Sequence, residues 1–525
     1  TRNDKSKQLP SGGPLTIDET SVEYYDTIFT VAESPVERGL IWTGSDDGLV
    51  HITRDSGKTW TNVTPKGLPD WARIGLIDAS PYAAGSAYLA ADRHRLDDFH
   101  PYVFKTTDYG KTWTQITSGL PESGSYVHAV RVDPVRKGLL YCGTETGTYI
   151  SFDDGAHWQS FQSNMPTVPV TDLVVHSDDL VISTKGRSFW ILDSLAPVRQ
   201  AATALTSEDA HLYRPDTAWR TRRGSANPKY FVLYGENAPD GAVIDYFLKS
   251  EPKEKISLEI LDSQGKVVRK YSSEAKKKEE NPSESGDDFN PPETIPAKAG
   301  MNRFIWDLRY EAPVLIPGQV FDSADNPKGP LALPGQYQVR LAAGGKTLTE
   351  PLSVKLDTRV KATPEALRQE FDLSLKIRDE ITLADSTVNE MNSVKAQIAA
   401  LHKRLGADPK YKSIFDAADA LVKKAEPVDS QLWQGKMKAS EEDLNFPDEI
   451  NDQLKGIAEF MEQSDNAPTA ADVAAYDDLS GKVAKLVTQW KEIKTKDLAV
   501  LNEMIRKADI PAIAPSAEPT PGSEK

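Results

Sequence analysis

The densest chemistry in this sequence lies in one short stretch, Asp92-Arg93-His94-Arg95-Leu96-Asp97-Asp98-Phe99-His100-Pro101-Tyr102, where two histidines, two arginines, three aspartates and two aromatic residues crowd together. A loop with that load on a rigid framework is where binding chemistry concentrates. Three chemistries compete for it. Asp97 or Asp98, with Asp46, Asp47 or Glu145, would form the acid and base of a glycosidase, which needs two carboxyls about 5–9.5 Å apart with their pKa values driven apart. His94, Asp97, Asp98 and His100 are ligand-type side chains at close spacing and suit a divalent cation, although they match no established metal motif. The third reading is a salt-bridged, hydrogen-bonded loop that caps its own structural unit or contacts a partner. Apart from a divalent cation at that cluster, no cofactor is expected.

Other chemistries lack their motifs. No Gly-x-Ser-x-Gly elbow presents a nucleophilic serine, and no glycine-rich loop is built to cradle phosphate. Arg73, Arg95, Arg131 and Arg187 do not stand in the contexts of the sialidase arginine pattern. The single cysteine, Cys142, excludes an intrachain disulfide and a cysteine zinc cage.

Lys+Arg of 62 against Asp+Glu of 78 gives a net charge of −16, the wrong sign for a general nucleic-acid binder. A hydrophobic share of 39% is enough to bury real cores. No apolar run approaches the ~20 residues a membrane-crossing helix needs. The first residues, Thr1-Arg2-Asn3-Asp4-Lys5, hold no apolar core of a signal peptide, which is expected to be absent or already removed.

The elements that must position the loaded loop are repeats. Thr53-Arg54-Asp55-Ser56-Gly57-Lys58-Thr59-Trp60, Thr106 to Trp113 and Ser151 to Trp158 all read Ser/Thr-x-Asp-x-Gly-x-x-Trp, with the aspartates 53 and then 45 residues apart. Each follows a strand-like run, and short strands recurring at that period mark β-propeller blades. In this reading Asp55, Asp108 and Asp153 accept hydrogen bonds from their own turns, and Gly57, Gly110 and Gly155 supply a positive φ. Trp60, Trp113 and Trp158 pack between neighbouring blades. Such a motif, the Asp-box or BNR repeat, speaks for fold and lies away from the ligand face.

Residues 28–200 supply about three and a half blades, fewer than a closed ring of four to eight. An incomplete ring leaves edges uncovered. The missing blades are expected from a partner chain, a second copy or, most economically, an N-terminal portion of a longer polypeptide. Propeller ligands meet the loops between strands 2 and 3 and between blades. Mapped so, the ligand-binding set is Trp71, Arg73, His94, Arg95, His100, Tyr102, Lys185 and Arg187, with Asp70, Tyr126 and His128 nearby.

Residues 1–27 are an N-terminal extension in this scheme. Over 208–358, alternating strands with turns such as Asp262-Ser263-Gln264-Gly265 suggest an immunoglobulin-like β-sandwich, interrupted by a polar, mobile loop at 274–298. Over 363–510 the apolar period turns helical, as in Met391, Val394, Ile398, Leu401, Leu405 and Tyr476, Leu479, Val483, Leu486, Trp490. Pro409, Pro427, Pro447 and Pro468 divide it into a bundle of four or five helices. Residues 511–525 read as a disordered tail. The fold class is therefore mixed and multidomain.

The three Asp-boxes, together with Thr184-Lys185-Gly186-Arg187-Ser188-Phe189-Trp190-Ile191-Leu192-Asp193, give the chain a family resemblance. It resembles the C-terminal half of large bacterial BNR-repeat "glycosyl hydrolase" proteins related to sortilin-type propeller ectodomains. Asn302-Arg303-Phe304-Ile305-Trp306-Asp307-Leu308-Arg309 and Leu444-Asn445-Phe446-Pro447 extend the likeness to nearly the whole chain. Lys185 departs from it, because family members tend to carry histidine before Gly-Arg-Ser. The resemblance implies an exported protein, secreted or periplasmic, in the order propeller, sandwich, helices. It does not decide between enzyme and binder, since sialidases, xyloglucanases, photosystem assembly factors and sorting receptors share this fold. The expected function is a propeller-based binding or scaffold protein recognising a polypeptide or glycan. The rivals are an exported glycoside hydrolase and an accessory subunit of an envelope complex.

Overall fold

A computed structural model describes residues 1–2, 26–201, 209–221, 237–274, 294–321, 326–406 and 408–516. The chain divides into two compact units, Thr1–Thr203 and Ala204–Lys525.

The first unit is a run of antiparallel meanders. Ile28–Glu33 (β1), Ile41–Ser45 (β2), Val50–Thr53 (β3) and Thr61–Asn62 (β4) form one four-stranded sheet. Arg73–Ala79 (β5), Ala87–Arg93 (β6), Asp98–Thr106 (β7) and Thr114–Gln115 (β8) form the second. Val127–Val132 (β9), Leu140–Thr144 (β10), Gly147–Ser151 (β11) and Gln159–Ser160 (β12) form the third. The fourth has three strands, Val170–His176 (β13), Asp179–Thr184 (β14) and Phe189–Leu192 (β15), before the short helix Ala196–Gln200 (α1). Three apolar cores lie at the three seams: Trp42, Ile74 and Phe104 between the first two sheets, Tyr88, Val130 and Cys142 at the next, and Tyr141, Leu173 and Leu180 at the last. This is a partial, propeller-like stack of four blades.

The repeated turns explain the meander's regularity. Asp55 Oδ1 accepts the Thr59 amide and the Thr53 hydroxyl, both at 2.8 Å, and Oδ2 accepts the Thr59 hydroxyl at 2.6 Å. Asp108 repeats this with Thr106 and Thr112, and Asp153 with Ser151 and His157. The chain reverses through two successive left-handed residues, the second of them Gly57, Gly110 and Gly155 at φ 87°, 79° and 87°. The tryptophans differ. Trp113 and Trp158 lie against the preceding blade, whereas Trp60 is 44% exposed and bonds only within its own turn, to Gly57 O at 3.1 Å. The expectation that all three pack between blades is corrected at Trp60, because no earlier blade stands beside the first one among the described residues.

In the second unit Ala210–Leu212 (β16), Ala242–Leu248 (β18) and Gly300–Trp306 (β21) make a three-stranded sheet. Ala218–Arg220 (β17), Ser257–Leu261 (β19), Val267–Ser272 (β20), Gly335–Ala343 (β22) and Lys346–Leu356 (β23) make a five-stranded one. Both sheets feed one core around Ile244, Phe304, Trp306, Leu258 and Val339. β17 pairs parallel with β23, the one parallel strand pair among the described residues. The loop expected at 274–298 falls largely outside the described residues.

The helices are Pro364–Leu405 (α2), Lys412–Leu432 (α3), Ile450–Met461 (α4), Ala470–Ile493 (α5) and, after a π-turn at Lys494–Leu498, Ala499–Lys507 (α6). Thr363 caps α2 through its hydroxyl, and Thr469 with Asp472 forms a capping box on α5. Pro427 does not divide helices as expected; it sits inside α3 on the exposed side, where water can satisfy the carbonyl it leaves unbonded. Residues 511–516, expected to belong to a disordered tail, are tied down. Asn502 brackets the Ile513 backbone at 2.7 and 2.8 Å, and Gln397 does the same for Ala514. The rest of that tail, and most of the 1–27 extension, lie outside the described residues.

Candidate binding site on blades two and three

β6 is apolar from Ala87 to Ala91 and fully buried, so it carries its last side chains to the blade end at a fixed register. There Asp92 is 1% exposed and takes two side-chain partners. Arg73, at the start of the neighbouring β5, reaches Asp92 Oδ2 with Nε at 3.0 Å and Nη2 at 2.7 Å. His94 Nδ1 lies 2.5 Å from Asp92 Oδ1. Burial pushes the Asp92 carboxyl up, but the His94 hydrogen bond and the Arg73 charge outweigh it and hold the group below its ordinary value.

From His94 the cluster crosses to the third blade. Its ring stacks on Tyr126 with centroids 4.5 Å apart and planes 10° from parallel. Tyr126 meets Phe99 at 6.2 Å on one side and His128 edge-on at 5.0 Å on the other. His128 Nε2 then lies 2.9 Å from Glu145 Oε2, at the β10–β11 turn. Burial, and after it the Glu145 charge, push the Tyr126 hydroxyl well above its ordinary value, so it stays a neutral hydrogen-bonding group. The product is a continuous strip: arginine, buried aspartate, histidine, aromatic platform, histidine, glutamate.

A second knot holds the hairpin. Asp98 receives Arg93 Nη1, the Tyr102 hydroxyl and His100 Nδ1, each at 2.8 Å. Burial opposes ionisation of Asp98, yet these bonds keep its carboxyl lowered, while Tyr102 is pushed up to about 12 by burial and by Asp98. Asp98 therefore behaves as a structural anion, not a proton donor. Arg95 sits on the single 3₁₀ turn His94–Leu96, and Asp97 ends that turn, exposed, at φ 56°.

Not every expected residue joins this strip. Asp46 and Asp47 stand on the first blade, where Asp46 accepts the Thr27 amide at 2.8 Å and Asp47, fully buried, is bonded by Ser45. Their carboxyls are driven apart: burial raises Asp46, whereas hydrogen bonds overcome burial to lower Asp47. Trp71 is in the loop before β5 at φ 63°. Lys185 and Arg187 are exposed on the β14–β15 turn of the fourth blade. His94, Asp97, Asp98 and His100 do not converge on a point: His94 turns to Asp92 and His100 to Asp98. Among the described residues no group of three or more His, Cys, Asp or Glu side chains is arranged to hold a metal ion.

The sequence reading left Asp92 out of its binding set and ranked Tyr126 and His128 behind the loop. Their signal was register: Asp92 follows five buried β6 residues, and Tyr126 and His128 alternate at the start of β9.

No protein-family model matches the chain. A curated relative, the oligoxyloglucan-reducing end-specific xyloglucanase of Emericella nidulans, is 31% identical over 111 residues, which span 20% of this chain and 13% of the relative. Among solved structures, the GH74 xyloglucanase of Xanthomonas campestris is 17% identical, covers 65% of this chain and 46% of its own, and has a TM-score of 0.26. YCF48 bound to D1 peptide is 16% identical, covers 46% and 68%, and has the same TM-score of 0.26. YCF48 from Cyanidioschyzon merolae is 16% identical, covers 32% and 53%, at 0.24. The blade assignment rests on the sheet order of this chain. Among its described residues, no helix is long and apolar enough to cross a membrane.

Proposed function

We propose that this chain is the blade-bearing part of an exported binding protein, and that the strip from Arg73 to Glu145 receives a polypeptide ligand. One observation carries this reading. The two best-placed acids are already committed, Asp92 to Arg73 and His94, and Asp98 to Arg93, His100 and Tyr102. What remains for a ligand is an aromatic platform with ionic groups at its ends. Phe99, 39% exposed, offers a ring face backed by the buried Tyr126, and the His128–Glu145 pair, with Glu145 the more exposed of the two, offers hydrogen bonds. Alternating apolar and charged contacts match a polypeptide, whose side chains carry both. The two-sheet region, read as immunoglobulin-like, and the helices serve as assembly surfaces within a larger, exported complex.

A glycoside hydrolase is the second reading. It is favoured by the opposed shifts at Asp46 and Asp47, the kind of split that separates an acid from a base, and by the local match to a xyloglucanase.

A peptide library and a panel of glycans incubated with wild type and with the Tyr126→Ala/Phe99→Ala pair test both readings. The proposal expects peptide binding that weakens at least tenfold in the double variant, and no glycan cleavage. Glycan turnover abolished by Asp46→Asn or Asp47→Asn would establish the hydrolase instead.

A further inference from the structure

The seams between blades follow one rule. Trp113 Nε1 donates to Val63 O at 2.7 Å, and Trp158 Nε1 to Ile116 O at 2.8 Å. Val63 and Ile116 occupy the same place, three residues beyond the tryptophan of the preceding repeat. The turn glycine obeys the rule too. A Cβ on Gly110 would lie 2.7 Å from Val63 Cβ, and one on Gly155 2.5 Å from Ile116 Cδ1, so each glycine is the notch that receives its predecessor's aliphatic side chain. A blade thus docks by giving an indole N–H to a carbonyl and a notch to the side chain beside it.

The first blade carries both halves of this device, and no preceding repeat fills them among the described residues: the Trp60 indole N–H falls back on Gly57 O of its own turn. Among the described residues a Cβ on Gly57 would meet only the ring of Trp60, at 3.9 Å. Val31, 65% exposed, is on the same outward face, since its neighbours Ala32 and Trp42 turn to the second blade. A second copy is a poor occupant. Its Val63 and Ile116 carbonyls are taken by Trp113 and Trp158, and its Phe161 carbonyl, at the same place in the third repeat, by the Thr148 hydroxyl. Residues 3–25 number fewer than the 45 to 53 residues that separate one repeat from the next.

We propose that this face docks a complete blade of the same Asp-x-Gly-x-x-Trp type, carried on polypeptide beyond these 525 residues. Three positions past its own tryptophan, that blade gives a carbonyl to Trp60 and an aliphatic side chain to the Gly57 notch. The inference rests on the assembly half of the function proposed above and is independent of the ligand strip.

The test places the photo-crosslinking residue p-benzoylphenylalanine at position 60, and separately at 113, in the protein produced in its own cells. The residue at 113 should link to the Val63 neighbourhood and so certify the fold. The residue at 60 should link to a peptide beginning just past a Ser/Thr-x-Asp-x-Gly-x-x-Trp motif absent from this sequence. In parallel, N-bromosuccinimide should oxidise Trp60 readily in residues 1–525 alone and at least several-fold more slowly in the material from cells. A link to residues 3–25, to a second copy or to a peptide lacking the motif overturns the proposal, as does equal oxidation of Trp60 in both samples. Peptide binding at Tyr126, measured on the same samples, separates failure of this inference from failure of the ligand reading.

Discussion

Two buried carboxylates, one in each unit, solve the same problem in opposite ways. Asp92 in the blades is 1% exposed and meets an arginine and a histidine, so it stays charged although burial works against it. Asp385 in α2 is fully buried and has one hydrogen bond, from Asn451 Nδ2 at 3.0 Å, while its Oδ2 finds none. Burial dominates there, the nearby Asp452 adds repulsion, and the carboxyl is pushed up to about 8. A buried acid is therefore not one kind of object. Its charge state follows from what faces it, because desolvation alone favours the neutral form. The blade acid is a fixed anion that orients His94; the helix acid is a proton held in the core near neutral pH.

The largest test of this contrast is Asp385→Asn. A group whose folded pKa is raised retains its proton while the unfolded chain has lost it. The second unit should therefore lose stability as pH rises from about 4 to about 8, and stay level beyond. Asparagine removes that slope, so the variant's advantage over wild type should grow between pH 4 and pH 9 by on the order of 5 kcal/mol. Denaturant melts of helical circular dichroism at the two pH values measure it, and parallel curves would show that Asp385 titrates normally. Next in size is Arg73→Met, which strips the blade acid of its arginine partner and the two hydrogen bonds it gives. Leaving a buried charge half-compensated should cost about 3 kcal/mol, seen as faster hydrogen exchange confined to β5 and β6, together with weaker peptide binding at the strip. If exchange there is unchanged, the Arg73 contact is decoration and Asp92 resembles Asp385 after all.

The two acids also differ in how far the sequence announces them. The blade turns are legible because every partner of Asp55 lies within four residues of it, so spacing alone contains the geometry. The helix stripes are legible for the same local reason: Val394, Ile398, Leu479 and Val483 repeat on one face and are buried. The Asp92–Arg73 and Asp385–Asn451 pairs span 19 and 66 residues, and no periodicity encodes which distant strand or helix will arrive opposite. The parallel pairing of Ala218–Arg220 with Val354–Leu356 was hidden likewise. Trp60 was misread for a complementary reason. Its motif matches the other two, and only the blade order reveals that no predecessor stands beside it among the described residues.

A third carboxylate completes the series with the smallest effect. Asp55 is only half-buried, yet its hydroxyl and amide donors from Thr59, and then the Thr53 hydroxyl, lower its carboxyl to about 2. Here hydrogen bonds outweigh a minor desolvation, the reverse of Asp385. A folded pKa below the unfolded one means stabilisation that is complete above about pH 4 and fades as pH falls towards 2. Asp55→Asn should accordingly leave the blades' acid melt flatter over that window. It should also weaken the turn modestly at pH 7, because an amide retains one acceptor oxygen where the carboxylate used two. Hydrogen exchange of the Thr59 amide at pH 7 and pH 3 reads both effects. Should wild type and variant respond identically to acid, hydrogen bonding would not be holding this group ionised, and the contrast between the two buried acids would reduce to desolvation alone.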